Sequence, residues 1–414
     1  MSYNICCFAR ITYAHQIKGG MEIHTRILSE ELRKRGHRIT ILTTSLEPML
    51  EVVRNENGVE IHYLPVESPG RYSKAYFSES VSCFHKLQTT RAFDIVWSES
   101  LGAIGYIKAV HQNNRIPVFT ILQGSFVGSV ATAYRAARSL EKRRLLSLGR
   151  RLPSMLSMYI AWQLPLLKQC TMIVCPSPQT ATEIRRETLL PKSKIFVSVN
   201  GIDVNKFRPD TKLRKKGRHI LGLNDGDFLI LNVGRLTSDK GVHILLEAIH
   251  HCRKHLSRLR LAVIGTGGEL CNLQKLCQKL DIKDCVHFLG FIPNDQLPMY
   301  YNACDLFVCP TVRVESFGIV LAEAMACCKP VISSAIGGTQ YVVEDRISGL
   351  LIPPGNKTVL AENILKIAAN PTLATELGIK ARQRAVARLS SDRMVKDTEI
   401  VVAESIHRWR AGGG

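Results

Sequence analysis

Two glutamates at a helix start carry the clearest chemistry in this sequence. Glu315 precedes the short loop Ser316-Phe317-Gly318, the apolar run from Ile319 to Ala326 follows, and Glu323 sits two turns in. Gly318 lets the backbone approach a ligand closely, and the first free N–H groups of the helix, from Ile319 onward, point at whatever lies there. Such an end favours an anion, typically a phosphate. Glu315 stands beside that anion, and Glu323 offers two acceptor oxygens to a vicinal diol. The stretch reads as half of a nucleotide-sugar site, or else as an amphipathic helix with an acidic first turn. The rest of the chain has to decide between them.

At 414 residues the chain exceeds one ordinary core, so two domains are expected. An apolar fraction of 45% and a charged fraction of 22% place it among globular proteins rather than disordered ones. The formal charge of +20 implies an acidic partner: nucleic acid, anionic lipid or a phosphorylated substrate. The 13 cysteines are odd in number, irregularly spaced and without a Cys-x-x-Cys pair. They read as reduced thiols serving as small core residues in a cytosolic protein, with no zinc site expected. Met1 to Arg10 shows no long apolar leader, so no secretory signal is expected. The best membrane candidate, Met155 to Leu167, is too short to span and contains Gln163 and Pro165.

Asn4 to Phe8 reads as a first parallel strand, followed by a loop ending in Gly19-Gly20. A helix with Ile23, Ile27, Leu28 and Leu32 at helical spacing comes next, closed by Gly36, and Ile39 to Leu42 is a second strand. This order opens a doubly wound sheet, and Gly19-Gly20 falls where such sheets bind ligands. A Gly-x-Gly-x-x-Gly dinucleotide fingerprint is absent. Ile95 to Trp97 and Val118 to Leu122 are further strands. They end in Ser98-Glu99-Ser100 and Gln123-Gly124-Ser125, candidate cleft loops on the same edge. Ile195 to Val199 leads to the turn Asn200-Gly201-Ile202-Asp203, and Pro209 to Arg218, polar and basic, reads as a linker. The second half repeats the grammar. Strands Phe228 to Val233, Leu259 to Ile264, Val286 to Leu289 and Leu306 to Cys309 each lead into a glycine or polar loop. Those loops are Gly234-Arg235-Leu236, Gly265-Thr266-Gly267-Gly268, Gly290-Phe291-Ile292 and the paired-glutamate stretch. The fold class is α/β, two Rossmann-like domains facing across a cleft. Residues 1–208 form the first domain, 209–390 the second, and 391–414 a C-terminal helix whose candidate docking partner is the first.

Arg135, Arg138, Lys142, Arg143, Arg144, Arg150 and Arg151 crowd one stretch with only Glu141 opposing. Interleaved leucines, and the Met-rich and aromatic residues from Met155 to Trp162, make this a basic amphipathic insertion near 130–168. It fits a helix lying on an anionic membrane face, or a solvated helix packed on its domain. Nucleic-acid binding fits less well, for no known module pattern appears.

Four motifs, in order and on the right strand ends, resemble the GT-B glycosyltransferases, most of all family 4, the large retaining group. They are Gly19-Gly20-Met21-Glu22; Asn200-Gly201-Ile202-Asp203 with Phe207 and Pro209; Gly234-Arg235-Leu236 with Lys240-Gly241; and Glu315 and Glu323 with seven residues between. The resemblance spans about Ile5 to about Arg388. It implies the GT-B fold and transfer of a hexosyl-type sugar from a nucleotide-sugar donor, with retention and without a metal or other cofactor. Residues 1–208 become the acceptor domain and 209–390 the donor domain. Arg235 and Lys240, one forked cation and one compact, suit the charge of a departing diphosphate, with Glu315 beside the sugar as the third catalytic residue. Donor binding falls to Gly20, Gly234, Gly265, Phe291, Ile292, Phe317, Gly318, Ile319 and Glu323, with Glu323 on the ribose hydroxyls. Contact with the acceptor or the sugar falls to Glu99, Gln123 and Asn200.

Two departures stand out. Gln123-Gly124 occupies a place where the family often has His-Gly, and a glutamine can hydrogen-bond a hydroxyl but cannot act as an acid or base. Cys328 stands where glycine is usual. The expected activity is elongation of a glycan, polysaccharide or lipid-linked acceptor at the cytoplasmic membrane face, by a cytoplasmic, peripheral enzyme. The alternatives are another GT-B enzyme, an epimerase or a phosphorylase, or an inactive relative binding a membrane surface.

Overall fold

A computed structural model describes residues 2–15, 19–110, 115–138 and 152–412, without the side chains of 136–138. The chain divides into two compact units: Met1–Val127 with Gly149–Gly201 and Ser391–Gly414, and Gly128–Leu148 with Ile202–Ser390.

The first unit is built on eight strands: β1 (Asn4–Phe8), β2 (Arg38–Thr44), β3 (Val52–Glu56), β4 (Val59–Leu64), β5 (Ile95–Glu99), β6 (Val118–Ile121), β7 (Met172–Cys175) and β8 (Ile195–Val197). Their order is β3-β4-β2-β1-β5-β6-β7-β8, and every pair is parallel except β3 with β4. The continuous apolar run of β1 follows from burial on both faces. Its side chains alternate, so Ile5 and Cys7 enter one core layer while Cys6 and Phe8 enter the other. The first layer also takes Leu28 and Leu32 of helix Gly20–Lys34, and Met394, Val395, Val401, Val402 and Ile406 of helix Ser391–Ala411. The second takes Val81 and Phe84 of helix Lys74–Thr90 and Ile104, Tyr106 and Ile107 of helix Ile104–Ala109. Because β1 lies between β2 and β5, the sheet reverses its strand order at β1, and the carboxyl ends there open the crevice where such sheets bind ligands.

The hairpin β3–β4 was not expected from the sequence. Asn57 and Gly58 both take positive φ (54° and 80°), a turn that matches the twist of its strands. Its signal was the Asn-Gly pair itself. The exposed, charged face of Val52–Glu56 hid the strand.

The second unit is a six-stranded, wholly parallel sheet: β9 (Phe228–Val233), β10 (Leu259–Ile264), β11 (Val286–Gly290), β12 (Leu306–Cys309), β13 (Val331–Ser334) and β14 (Leu350–Ile352). The order β11-β10-β9-β12-β13-β14 places its reversal at β9 and β12. The expected linker from Pro209 to Arg218 is instead mostly helix, Thr211–Ile220. Asp210 caps it by accepting from the Leu213 N–H at 2.9 Å. Arg214 and Arg218 pair with Asp305, at 2.6 and 3.1 Å, and Gly217 packs against Met299 and Ala303. Ion pairs and a cap hold this helix where an apolar stripe is lacking.

In the expected basic insertion, Arg135 is exposed and Arg138 ends helix Phe126–Arg138. Lys142, Arg143, Arg144, Arg150 and Arg151 lie outside the described residues. Residues 152–158 are helical and continue through a π-helical turn, Tyr159–Gln163, into Leu164–Gln169. Tyr159 turns inward and stacks on Phe126, whereas Leu156, Met158 and Ile160 are exposed. Among the described residues no helix is long and apolar enough to cross a membrane. All 13 cysteines are free, and ten of them are buried.

Candidate functional site

In the second unit the chemistry gathers at the carboxyl ends of β9 and β12. Lys240 closes the 3₁₀ turn Ser238–Lys240 after β9, and its Nζ donates to Glu315 Oε1 at 2.5 Å. Thr311 Oγ1 donates to the same oxygen at 3.1 Å. The two loops are knotted by Asp239. Its carbonyl accepts from Val312 N–H (2.9 Å), Arg313 N–H (3.1 Å) and Thr311 Oγ1 (3.1 Å). Its carboxylate accepts from Thr237 and pairs with Arg313. Burial pushes the Glu315 carboxyl up, but the Lys240 and Arg313 cations and two donated hydrogen bonds outweigh it. Glu315 therefore stays below the usual carboxylate range and ionised at neutral pH.

Helix Ile319–Ala326 starts right after Gly318, which sits at φ 101°. A side chain would be strained in that conformation, so glycine fits the sharp entry. Phe317 is buried and anchors the loop instead of presenting its ring to a ligand. Glu323, 2% exposed, accepts from Tyr301 Oη at 2.7 Å and Asn294 Nδ2 at 2.9 Å. Asn294 in turn accepts from Lys206 Nζ at 2.6 Å. Burial dominates at Glu323 and pushes its carboxyl up to about 7, against the pull of those two hydrogen bonds and of Lys206.

The glycine loops after β9, β10 and β11 are pressed together. A side chain at Gly265 would meet the Gly234 carbonyl at 1.8 Å, and Gly265 N–H donates to the Gly290 carbonyl at 2.7 Å. Phe291 is exposed and Ile292 half-buried on the loop that follows. Arg235 is exposed, and its side chain makes no hydrogen bond or ion pair among the described residues. The structure thus brings Lys240 to Glu315, and sets Gly234 against Gly265. Glu323 has neighbours of its own. Sequence reasoning missed Thr311, Asp239, Arg313, Asn294 and Tyr301, whose roles rest on contacts across separate loops that no local pattern reports.

In the first unit Gly20 opens helix Gly20–Lys34. Glu99, Gln123 and Asn200 meet in one chain of hydrogen bonds. Gln123 Nε2 donates to Glu99 Oε1 at 3.1 Å, and Asn200 Nδ2 donates to Gln123 Oε1 at 2.9 Å. Gln123 is half-buried, whereas Glu99 and Asn200 are 1% and 3% exposed and lie behind it. His24, also buried and not singled out from the sequence, places Nδ1 3.7 Å from Glu99 Oε2.

Two family models match the chain one after the other: Glycosyltransferase Family 4 over residues 18–206 and Glycosyl transferases group 1 over residues 214–384. The chain is a glycosyltransferase with a Family 4 domain followed by a group 1 domain. An uncharacterized glycosyltransferase of Methanocaldococcus jannaschii is 26% identical over 396 residues, covering 93% of this chain and 94% of its own. Alpha-monoglucosyldiacylglycerol synthase of Streptococcus pneumoniae is 27% identical over 389 residues, 86% and 81% of the two chains. Among solved structures, sucrose-phosphate synthase from Thermosynechococcus elongatus superposes with a TM-score of 0.80 at 23% identity, covering 100% of both chains. Anabaena HepE in complex with UDP-glucose superposes with a TM-score of 0.72 at 19% identity, covering 97% of this chain and 100% of its own. The fold of this glycosyltransferase is accordingly GT-B: α/β, with two parallel-sheet domains.

Proposed function

We propose that this glycosyltransferase moves a hexosyl-type sugar, with retention and without a metal, from a nucleotide-sugar donor to a glycan, polysaccharide or lipid-linked acceptor. The observation that carries the reading is the Lys240–Glu315 contact beside the opening of helix Ile319–Ala326. Departure of a nucleoside diphosphate builds negative charge on its phosphates. Lys240, Arg235 and the N–H groups at Gly318 and Ile319 are the groups that meet that charge. In this reading Glu315, kept ionised, orients the sugar's hydroxyls and stabilises an oxocarbenium-like centre. Glu323 serves the ribose diol, and the exposed Phe291 loop serves the base. In a retaining transfer the acceptor approaches on the leaving-group face, so a phosphate oxygen takes its proton and no protein base is required. The UDP-glucose held by HepE supports a nucleotide-sugar donor.

The acceptor is proposed to lie at the cytoplasmic face of a membrane. Exposed Leu156, Met158 and Ile160, next in sequence to the basic run, supply apolar and cationic contacts of the kind an anionic lipid surface takes. A relative named for a glucosyl-diacylglycerol product supports a lipid-borne acceptor. The test is a donor screen: the purified chain is incubated with a panel of nucleotide sugars and a lipid extract, and the released nucleoside diphosphate is identified by mass spectrometry. One donor should be consumed, with Lys240→Ala and Glu315→Ala each losing about 10²–10³ in kcat. Consumption of no donor, or full activity in Glu315→Ala, overturns the reading. Co-sedimentation with anionic vesicles that survives neutralising Arg143, Arg144, Arg150 and Arg151 removes their part in membrane binding.

A further inference from the structure

The Glu99–Gln123–Asn200 chain has a direction, and Glu99 sets it. Gln123 donates from Nε2 to Glu99 and accepts at Oε1 from Asn200, so its amide is turned one way by the two partners. Asn200 must then offer Nδ2, which leaves its own Oδ1 buried without a partner. An unsatisfied buried acceptor is destabilising. Reversing both amides would set Gln123 Oε1 against the Glu99 carboxylate, so the fold retains the orphan. Glu99 is held at Oε1 and through its backbone. Its second oxygen and His24 Nδ1, 3.7 Å apart, are both buried without a hydrogen-bond partner. Tyr72 Oη donates to its carbonyl at 2.7 Å. The next residue, Ser100, takes φ 55°, uncommon for a residue with a side chain, and its carbonyl accepts from Ser98 Oγ (2.9 Å) and Thr120 Oγ1 (3.0 Å). Strain and an orphaned atom around one half-buried amide are features a fold keeps where a site needs them.

We propose that Glu99, with Asn200 and His24 behind it, is a positioning residue. It locks the Gln123 amide in one orientation, so that Gln123 presents a fixed donor–acceptor order to a sugar hydroxyl. The proposal rests on the reading of Gln123 as a sugar contact. It explains how glutamine serves at this place: a lone glutamine flips between two nearly isosteric faces, and a locked one discriminates. Glu99 and Asn200 then act through Gln123 and need no contact with substrate themselves.

The test uses the full chain with the donor found in the screen and its acceptor, measuring kcat and KM for wild type, Q123A, E99Q, N200D and the doubles E99Q/Q123A and E99Q/N200D. E99Q keeps size and hydrogen bonding but no longer sets polarity. It should lower kcat/KM about tenfold and narrow the gap between the natural substrates and singly deoxygenated analogues. In the Q123A background E99Q should cost nothing further, because the residue through which it acts is gone. E99Q/N200D rebuilds the chain with Gln123 reversed, so thermal stability should return toward wild type while kcat/KM stays low. Equal E99Q costs in both backgrounds, or recovery of activity in E99Q/N200D, overturns the positioning role while leaving Gln123 a sugar contact. A neutral Q123A overturns that contact and the proposal together, whereas loss of all transfer in wild type sinks the proposed function itself.

Discussion

Glu315 and Glu323 stand two turns apart on one helix start, yet their surroundings push their protons in opposite directions. Glu315 is held below the ordinary carboxylate range because Lys240 and Arg313 outweigh its burial. Glu323, with two neutral donors and only the more distant Lys206, is pushed from 4.5 to about 7. A carboxyl raised on folding contributes stability below its unfolded value near 4.5 and loses it as pH rises through about 7. Glu323→Gln should therefore gain on wild type as pH climbs from 5 to 8, by about 3 kcal/mol at most, since a tenfold change in proton affinity is worth about 1.4 kcal/mol. Thermal melts of both proteins at pH 5, 6, 7 and 8 measure it, and a pH-independent difference refutes it. The same titration should appear in donor KM, which falls over this range as the anion proposed to accept from the ribose diol forms, and flattens in Glu323→Gln. The spacing of the two glutamates was legible because one helix start fixes both. What separates them is the cations: Lys240 and Arg313 come to Glu315 from other loops, Glu323 is buried with only neutral donors in contact, and no sequence spacing encodes that.

At the scale of elements, the loops that matter are set by strand ends, and strands were the most legible part of the chain. Apolar runs such as Leu229–Leu231 and Leu261–Ile264 are buried on both faces, and the strands that hold them lead into glycine where backbones crowd. Helix Thr211–Ile220 was illegible for the opposite reason, since its fixed points are charges and a cap. Asp305 pairs with Arg214 and Arg218 and also accepts from the Leu229 N–H at 2.8 Å, at the start of β9. Asp305→Ala strands the Leu229 N–H and leaves Arg214 and Arg218 only their carbonyl partners, and should destabilise the second unit by roughly 2–4 kcal/mol, seen as a lower denaturation midpoint with an unchanged slope. Gly318→Ala tests the other kind of element. With φ at 101°, the methyl forces either a strained backbone or a shifted helix start, at about 1–2 kcal/mol. Its larger effect should fall on donor KM, because the N–H groups proposed to face the diphosphate move with the loop. A Gly318→Ala protein that loses stability but binds donor as wild type does would show that the helix opening is not the phosphate site.

Across the whole molecule, the two units differ in how the chain supplies them. The sheet of the second unit comes from one continuous stretch, Ile202–Ser390, whereas the first unit is closed by helix Ser391–Ala411 from the far end of the chain. Met394, Val395, Val401, Val402 and Ile406 lie in the same core layer as Ile5, Cys7, Leu28 and Leu32. Burying five such side chains is worth about 1.5–3 kcal/mol each, a sum comparable to the net stability of an entire domain. Arg35 adds ion pairs to Asp392 and Glu399, and His37 Nε2 lies 3.2 Å from Glu399. A chain ending at Ser390 should therefore fail to form a stable first unit while keeping a folded second one. Limited proteolysis of residues 1–390 should leave a resistant fragment starting near Ile202, and that fragment should bind the nucleoside diphosphate found in the donor screen. Adding a peptide of residues 391–412 should restore protection of the amino-terminal half. If residues 1–390 instead resist proteolysis throughout and transfer sugar at the wild-type rate, the terminal helix is dispensable. The first sheet would then have to be stable with one face of its core uncovered by those five side chains.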